Sequence, residues 1–349
     1  MNALKELLIR QIHTSGPISI AEYMAQCLLH PEHGYYATRD PFGAAGDFTT
    51  APEISQMFGE VLGLCIAQAW MDQGAPKRFA FAEIGPGRGT LMRDMLRATS
   101  AIPGFAPEIH MIEASATLRT IQAETIGPAT WHDTIDTLPD IPTFLIGNEF
   151  LDALPIRQFV RQNAGWAERC IGDDEGALSY GLVPATPDID RRLHDTREGD
   201  IVEICPMLPG IIDIISRKIE SYGGVAIFID YGDWRSKGDT LQALKSHAFI
   251  DPLISPGEVD LTAHVDFEAI AVASNCATTA MTPQGVLLER LGITARAQAL
   301  AKNMDQTTLN SHIKAHRRLT HPDEMGTLFK SIALYPHTQA PPPGFDARI

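Results

Sequence analysis

Glu83-Ile84-Gly85-Pro86-Gly87-Arg88-Gly89-Thr90 is the stretch that decides the fold. FAFAEI at 79–84 leads into it and TLMRDMLRA at 90–98 leaves it, which predicts a buried strand, a glycine-rich turn and a helix. Glycine at alternate positions permits positive φ and lets the backbone come close to a ligand. The start of the following helix adds unpaired N–H groups and the positive end of the helix dipole. Such a turn suits a nucleoside-bearing cofactor; the alternative is a tight strand–helix connection that holds nothing. A G-x-G-x-x-G fingerprint counted from Gly85 would need its third glycine where Thr90 stands, which ranks an NAD oxidoreductase low.

Outward from the turn the pattern alternates. IHMIE at 109–113, Ala129–His132, TFLIGNE at 143–149 and VAIFID at 225–230 read as strands, with helices over 114–124 and 211–222. Near-continuous apolar strands alternating with helices predict a parallel sheet covered on both faces. Glu113 ends the strand after the turn, where a carboxylate can accept hydrogens from both ribose hydroxyls. His132-Asp133 ends the next strand, placed to flank or hydrogen-bond an adenine, or simply a surface pair. Upstream, Thr50-x-x-Glu53 reads as a capping box for one helix from Pro52 to near Gly74. Residues 1–30 read as two helices broken at Gly16-Pro17, the second capped by Ser19. Residues 157–183 read as a small antiparallel meander, 260–267 as the start of a strand or helix, 283–303 as a helix, and the remainder as irregular.

Composition bounds the function. The chain has 349 residues, enough for about two domains or one large α/β domain with an insertion. Apolar residues make up 44% and charged residues 20%, an ordinary globular balance. Lys and Arg number 28 against 43 Asp and Glu, a net charge of −15 that disfavours nucleic acid and tolerates a basic partner. The five cysteines form no C-x-x-C pair and the twelve histidines no metal spacing, so no metal is expected. G-x-S-x-G is absent, which leaves a serine hydrolase without support. Neither a signal peptide, nor a mitochondrial leader, nor a run of ~18 apolar residues is seen, and the expectation is a cytoplasmic protein with no membrane insertion.

E-x-G-x-G followed by an acid at the next strand end resembles the seven-strand S-adenosylmethionine-dependent methyltransferases. GYYATRD at 34–40, GDFTTAPEISQMFGE at 46–60, EIGPGRGTL at 83–91, GNEFLDALP at 147–155, IDYG at 229–232, DLTAHVDF at 260–267 and MGTLFK at 325–330 narrow this to the MidA-like family. That family includes the mitochondrial protein-arginine methyltransferase of respiratory complex I assembly. The resemblance spans about residues 20–335. It implies an α/β, class I, Rossmann-like doubly wound sheet over 46–156 and 211–349. An N-terminal helical segment over 1–45 would precede it, and a β-rich insertion over 157–210 would serve partner docking.

The resemblance also implies S-adenosyl-L-methionine as cofactor and S-adenosyl-L-homocysteine as product. Its binding residues would be Glu83, Gly85, Gly87, Gly89, Glu113, His132, Asp133 and Asn148. Thr49, Thr50 and Ser55 would donate to the methionine carboxylate, although Thr50 has the capping alternative. Glu149 and Asp152 follow the fourth strand, where open α/β sheets bind ligands. They are expected to grip a substrate guanidinium, whose fork pairs bidentately with carboxylates; the alternative is that Asp152 caps the next turn and Glu149 hydrogen-bonds backbone. Tyr231 and His264 are further pocket candidates, and His264 is equally a structural histidine. The expected partner is a protein presenting arginine, a complex I subunit among the candidates, with oligomeric state open. Rival readings are a small-molecule methyltransferase and a non-catalytic assembly protein that keeps the cofactor.

Overall fold

Seven strands form the continuous path of the nine-stranded central sheet in the computed structural model. β1 (Ala80–Ile84), β2 (Glu108–Ile112), β3 (Thr130–His132), β4 (Thr143–Asn148), β5 (Gly224–Asp233), β6 (Ala277–Thr278) and β7 (Phe329–Tyr335) are hydrogen-bonded in the order β6-β7-β5-β4-β1-β2-β3. Strands β3, β2, β1, β4 and β5 are parallel to one another. β7 is antiparallel to β5, and β6 to β7. Every residue of β1 and β4 is buried, as a sheet covered on both faces requires. The chain leaves β1 toward β2 on one side and returns to β4 on the other. The strand order therefore reverses between β1 and β4, the place where open α/β sheets leave a crevice for ligands.

The structure describes residues 2–38, 50–163, 165–245 and 248–348, which fall into two compact units. The sheet belongs to the unit made of 49–151, 209–232 and 267–349. Its helices are α1 (Ala51–Ile54), α2 (Gln56–Asp72), α3 (Thr90–Thr99), α4 (Ala116–Ile126), α5 (Leu208–Tyr222), α6 (Phe267–Ala273), α7 (Gln284–Arg290), α8 (Ile293–Ala301) and α9 (Gln306–Thr320). Phe58, Leu62, Phe79, Phe81, Met95 and Phe144 belong to one buried cluster between helices and sheet. α2 lies directly on α3 because glycines remove the side chains that would separate them. A Cβ at Gly59 would stand 2.8 Å from Asp94 Cβ, and one at Gly63 2.8 Å from Met95 Cα.

Several elements differ from the sequence expectations. The single helix from Pro52 is two pieces: Ser55, extended at φ −163°, separates α1 from α2 and caps α2 by accepting from Met57 N–H. The Thr50–Glu53 capping box does not form. Thr50 makes no side-chain cap bond, and Glu53 accepts from Thr90 Oγ1 at 2.5 Å instead. The helix over 283–303 is broken at Gly292, whose φ of 86° ends α7 and opens α8. The region after 303 is not irregular. It holds α9, polar along its length with only Leu319 buried, and β7, the antiparallel strand beside β5.

The other unit joins 1–48, 152–208 and 233–266. Its boundaries differ from the expected separate N-terminal segment and insertion. Helices Ala3–Ser15 and Ile20–Leu29 form as expected, and Ser19 and Glu22 make a reciprocal capping box. Strands Arg157–Gln162, Gly165–Asp174, Ala177–Ala185 and Ile201–Ile204 form the antiparallel meander, and Ile18–Ser19 pairs with Cys170–Ile171. That pairing and a shared cluster of Tyr23, Met24, Ile171, Val259 and Leu261 unite the N-terminal helices with the meander. Asp260–Thr262 is a strand of a second small sheet.

Two buried histidines close the β2–β3 edge. His110 Nδ1 lies 2.9 Å from His132 Nε2, and His132 Nδ1 lies 2.7 Å from Thr137 Oγ1. The Thr137 hydroxyl donates to Thr134 O, so it accepts from His132 Nδ1–H, and His132 Nε2 accepts from His110 Nδ1–H. A proton added to His132 Nε2 would face another N–H. Burial lowers both histidine pKa values; His132 further disfavours the charge of His110 and Arg119 that of His132, while Glu108 and Asp133 oppose the respective shifts. The unfolded value is near 6.5. Stability from the pair is therefore complete above about pH 6.5 and is lost as pH falls through the lower folded values.

Two predictions follow from this packing. Melting the protein at pH 7.5 and 5.5 should show a drop on acidification that is smaller in His110→Gln; an equal drop in both would contradict the histidine account. Gly63→Ala should cost about 1–3 kcal/mol in urea unfolding. Gly172→Ala, where nothing lies within 4 Å of the added carbon, should change stability by under ~0.5 kcal/mol.

Candidate active site

The glycine turn leaves β1 in a conformation that other residues resist. Gly85, Gly87 and Gly89 have φ of 65°, 52° and 79°. Gly85 N–H donates to Ile112 O at the end of β2, and Gly89 N–H donates to Pro86 O. A Cβ on Gly85 would stand 2.8 Å from the Phe150 ring, so this glycine also admits the loop after β4. Thr90 begins α3, and its hydroxyl ties the turn to Glu53 of α1.

Glu113 follows β2 at the same edge. Its N–H donates to His132 O. Its Oε1 accepts from Ser115 N–H at 2.8 Å and its Oε2 from Gln122 Nε2 at 3.1 Å. Each carboxylate oxygen has room for a further donor. Burial raises the Glu113 pKa, against lowering by those bonds and by Arg119. Arg119 Nε donates to Glu113 O at 2.7 Å and its Nη2 bonds Asp133 Oδ1 at 2.5 Å. Asp133 remains largely exposed at the strand end. His132 has no ring nitrogen left to hydrogen-bond an adenine, because both are taken up by His110 and Thr137.

The loop after β4 is held firmly. Glu149 has φ 51°, a left-handed conformation that costs a non-glycine residue about 1–2 kcal/mol and is concentrated at functional sites. Its N–H donates to Ile229 O. Its Oε1 accepts from Ala51 N–H at 3.0 Å and from Asn148 Nδ2 at 2.9 Å. Asp230, 1% exposed, accepts from Leu151 N–H and Tyr231 N–H at 2.9 Å each. Tyr231 is buried, its ring edge-on to Phe329 at 5.4 Å.

The unit thus brings together Glu83, the three glycines, Glu113, Asn148 and Glu149 around the carboxyl ends of β1, β2 and β4. Thr50 and Ser55 flank α1; the Ser55 hydroxyl is occupied in capping α2. Thr49, with most of GDFTT, lies outside the described residues. Asp152 and His264 belong to the other unit. There Asp152 is buried and its carbonyl accepts from Ala263 N–H, while His264 N–H donates to Thr240 Oγ1.

Three contributors were not read from the sequence as such: Gln122, Asp230 and Phe150. Gln122 had a signal, because it shares the buried face of α4 with Leu118, four residues earlier. Asp230 and Phe150 act through contacts with residues distant in the chain, which no local pattern reveals.

The donor and acceptor set fits a nucleoside-bearing amino acid. Among the described residues, buried Glu83 Oε2 and Asn148 Oδ1 have no hydrogen-bond partner. Buried polar atoms without partners are rare, and an ammonium or hydroxyl donor on a ligand would satisfy these two. Burial holds the Glu83 pKa well above the ordinary carboxylate value. S-adenosyl-L-methionine offers an α-ammonium and a ribose diol, and Glu113 is the acid at the position suited to the diol.

Comparisons with known proteins agree. Residues 61–286 match the family model Methyltransf_28, described as "Putative S-adenosyl-L-methionine-dependent methyltransferase". The chain is 35% identical to "Protein arginine methyltransferase NDUFAF7, mitochondrial" of Xenopus laevis, over 97% of this chain and 85% of that protein. It is 33% identical to the Homo sapiens protein of that name, over 95% and 82%. A Burkholderia thailandensis structure bound to S-adenosyl-homocysteine superposes with a TM-score of 0.86 at 30% identity, covering 98% of this chain and 94% of that one. The fold is that of the class I methyltransferases and the cofactor is S-adenosyl-L-methionine. The chain belongs to the MidA-like family of S-adenosyl-L-methionine-dependent methyltransferases.

Proposed function

We propose that this methyltransferase acts on arginine in a protein substrate. The observation that carries the reading is the Glu149 carboxylate, fixed at the carboxyl end of β4 by Ala51 N–H and Asn148 Nδ2 on a left-handed backbone. The relatives named as protein arginine methyltransferases, which match 95–97% of this chain, support it. A guanidinium is always charged and presents a planar fork of donors, so a rigid carboxylate is its natural partner. A net charge of −15 favours the approach of a cationic segment. The family resemblance makes a respiratory complex I subunit the first substrate to try, and support of that complex's assembly the role.

When bound, S-adenosyl-L-methionine supplies a methyl group on a positively charged sulfur. The contribution of the protein is alignment more than proton shuttling, because a direct displacement depends on near-linear geometry. Glu149 holds the guanidinium and fixes which nitrogen faces the methyl group. As the methyl–sulfur bond breaks and S-adenosyl-L-homocysteine leaves with the electron pair, that nitrogen would form the new N–C bond and give up one proton, which Glu149 would accept. Asp230 keeps Glu149 in place by anchoring Leu151, just after β4, and Tyr231 on the neighbouring strand β5.

Glu149→Gln keeps size and loses the charge. Calorimetry should find S-adenosylhomocysteine binding within about threefold of wild type. Transfer of labelled methyl to an arginine peptide from a complex I subunit should fall by about 100-fold or more. The same peptide with lysine for arginine should accept no label. Transfer by Glu149→Gln near the wild-type rate would refute the guanidinium role, and labelling of the lysine peptide would refute arginine specificity.

A further inference from the structure

Gln122 is 0% exposed in the middle of α4, a position normally given to an apolar side chain. All of its amide is used. Nε2 donates to Gly87 O at 2.8 Å and to Glu113 Oε2 at 3.1 Å. Oε1 accepts from Trp131 Nε1 at 2.8 Å. The three partners lie on three separate elements: the glycine turn after β1, the residue after β2, and β3. A Cβ on Gly89 would stand 3.6 Å from Gln122 Cα, so α4 packs directly on the turn.

We infer that Gln122 is the positioning residue that sets the Glu113 carboxylate toward the cofactor ribose and fixes its distance from the glycine turn. The inference rests on the cofactor site above, with Glu113 as the ribose partner. The geometry is specific to an amide. One Nε2 must donate to two oxygens, the Gly87 carbonyl and the Glu113 carboxylate, which a carboxylate, a thioether or a hydrocarbon at 122 cannot do. Trp131 in turn fixes which end of the amide faces Glu113, because an indole N–H only donates and so requires Oε1 on its side. The turn and the ribose acid are thereby set as one rigid piece before ligand arrives, which lowers the ordering cost of binding.

The test is calorimetric titration of the full chain with S-adenosylhomocysteine and with its 2′,3′-dideoxy analogue. Wild type should prefer the diol ligand by about tenfold or more. Gln122→Met keeps the volume and has no donor. It should weaken S-adenosylhomocysteine by about tenfold and the dideoxy analogue by under about threefold. Gln122→Glu adds a second carboxylate beside Glu113 and should bind S-adenosylhomocysteine more weakly than Gln122→Met. Trp131→Phe leaves Gln122 in place and unlocks its amide; it should also lose mainly diol affinity, and it serves if the buried variants do not fold. Equal losses for both ligands in the folded variants would make Gln122 a packing residue and overturn the assignment. Wild type that does not distinguish the two ligands would refute Glu113 as the ribose partner, and the assignment would fall with it.

Discussion

The left-handed backbone of the Gly85–Gly89 turn is the constraint on which the site depends. Alternating glycines at positive φ carry the chain from the buried end of β1 into α3 within five residues. No other side chain takes such a path without strain. Because the turn is narrow, Phe150 can lie against Gly85 and Gln122 can reach Gly87 O. The loops after β2 and β4 are thus drawn to the same place. Glu113 and Glu149 face the crevice from either side of the point where the strand order reverses. The sheet supplies the platform, and the turn determines what can be assembled on it.

The two acids are held in different ways, which suits two tasks. Glu113 receives its bonds from Ser115, just before α4, and from Gln122 within α4, and each oxygen keeps capacity for a ligand hydroxyl. Glu149 is held by Ala51 and Asn148, and its backbone is pinned to Ile229. A residue kept in a left-handed conformation persists only where its surroundings over-determine it, and the Asp230 carboxylate does so by bonding Leu151 and Tyr231. In both cases the network restricts the carboxylate before a ligand arrives.

Much of the site-bearing fold was legible because its signals are local. Apolar runs with no polar alternation marked β1, β4 and β5, and the glycine spacing marked the turn. What escaped was set by tertiary contacts. β7 carries Lys330 and Ser331 within its run and follows a polar helix, so its place beside β5 shows only in the pairing. Thr50 and Glu53 have the spacing of a capping box, yet Glu53 bonds Thr90, far along the chain. His132 ends its strand as expected, but the His110 ring across the β2–β3 pair takes its Nε2 inward. Glu83, Glu113 and the glycines were legible because backbone geometry and strand position place them. Gln122 and Asp230 were not, since each acts by bridging separate elements.

The whole arrangement stands or falls with this turn and Glu113 as the seat of S-adenosyl-L-methionine. Calorimetric titration of the purified chain with S-adenosylhomocysteine, with NADH as control, tests it most directly. Micromolar binding of S-adenosylhomocysteine and none of NADH is the expected result. Binding of NADH, or failure of the folded protein to bind S-adenosylhomocysteine, would contradict it.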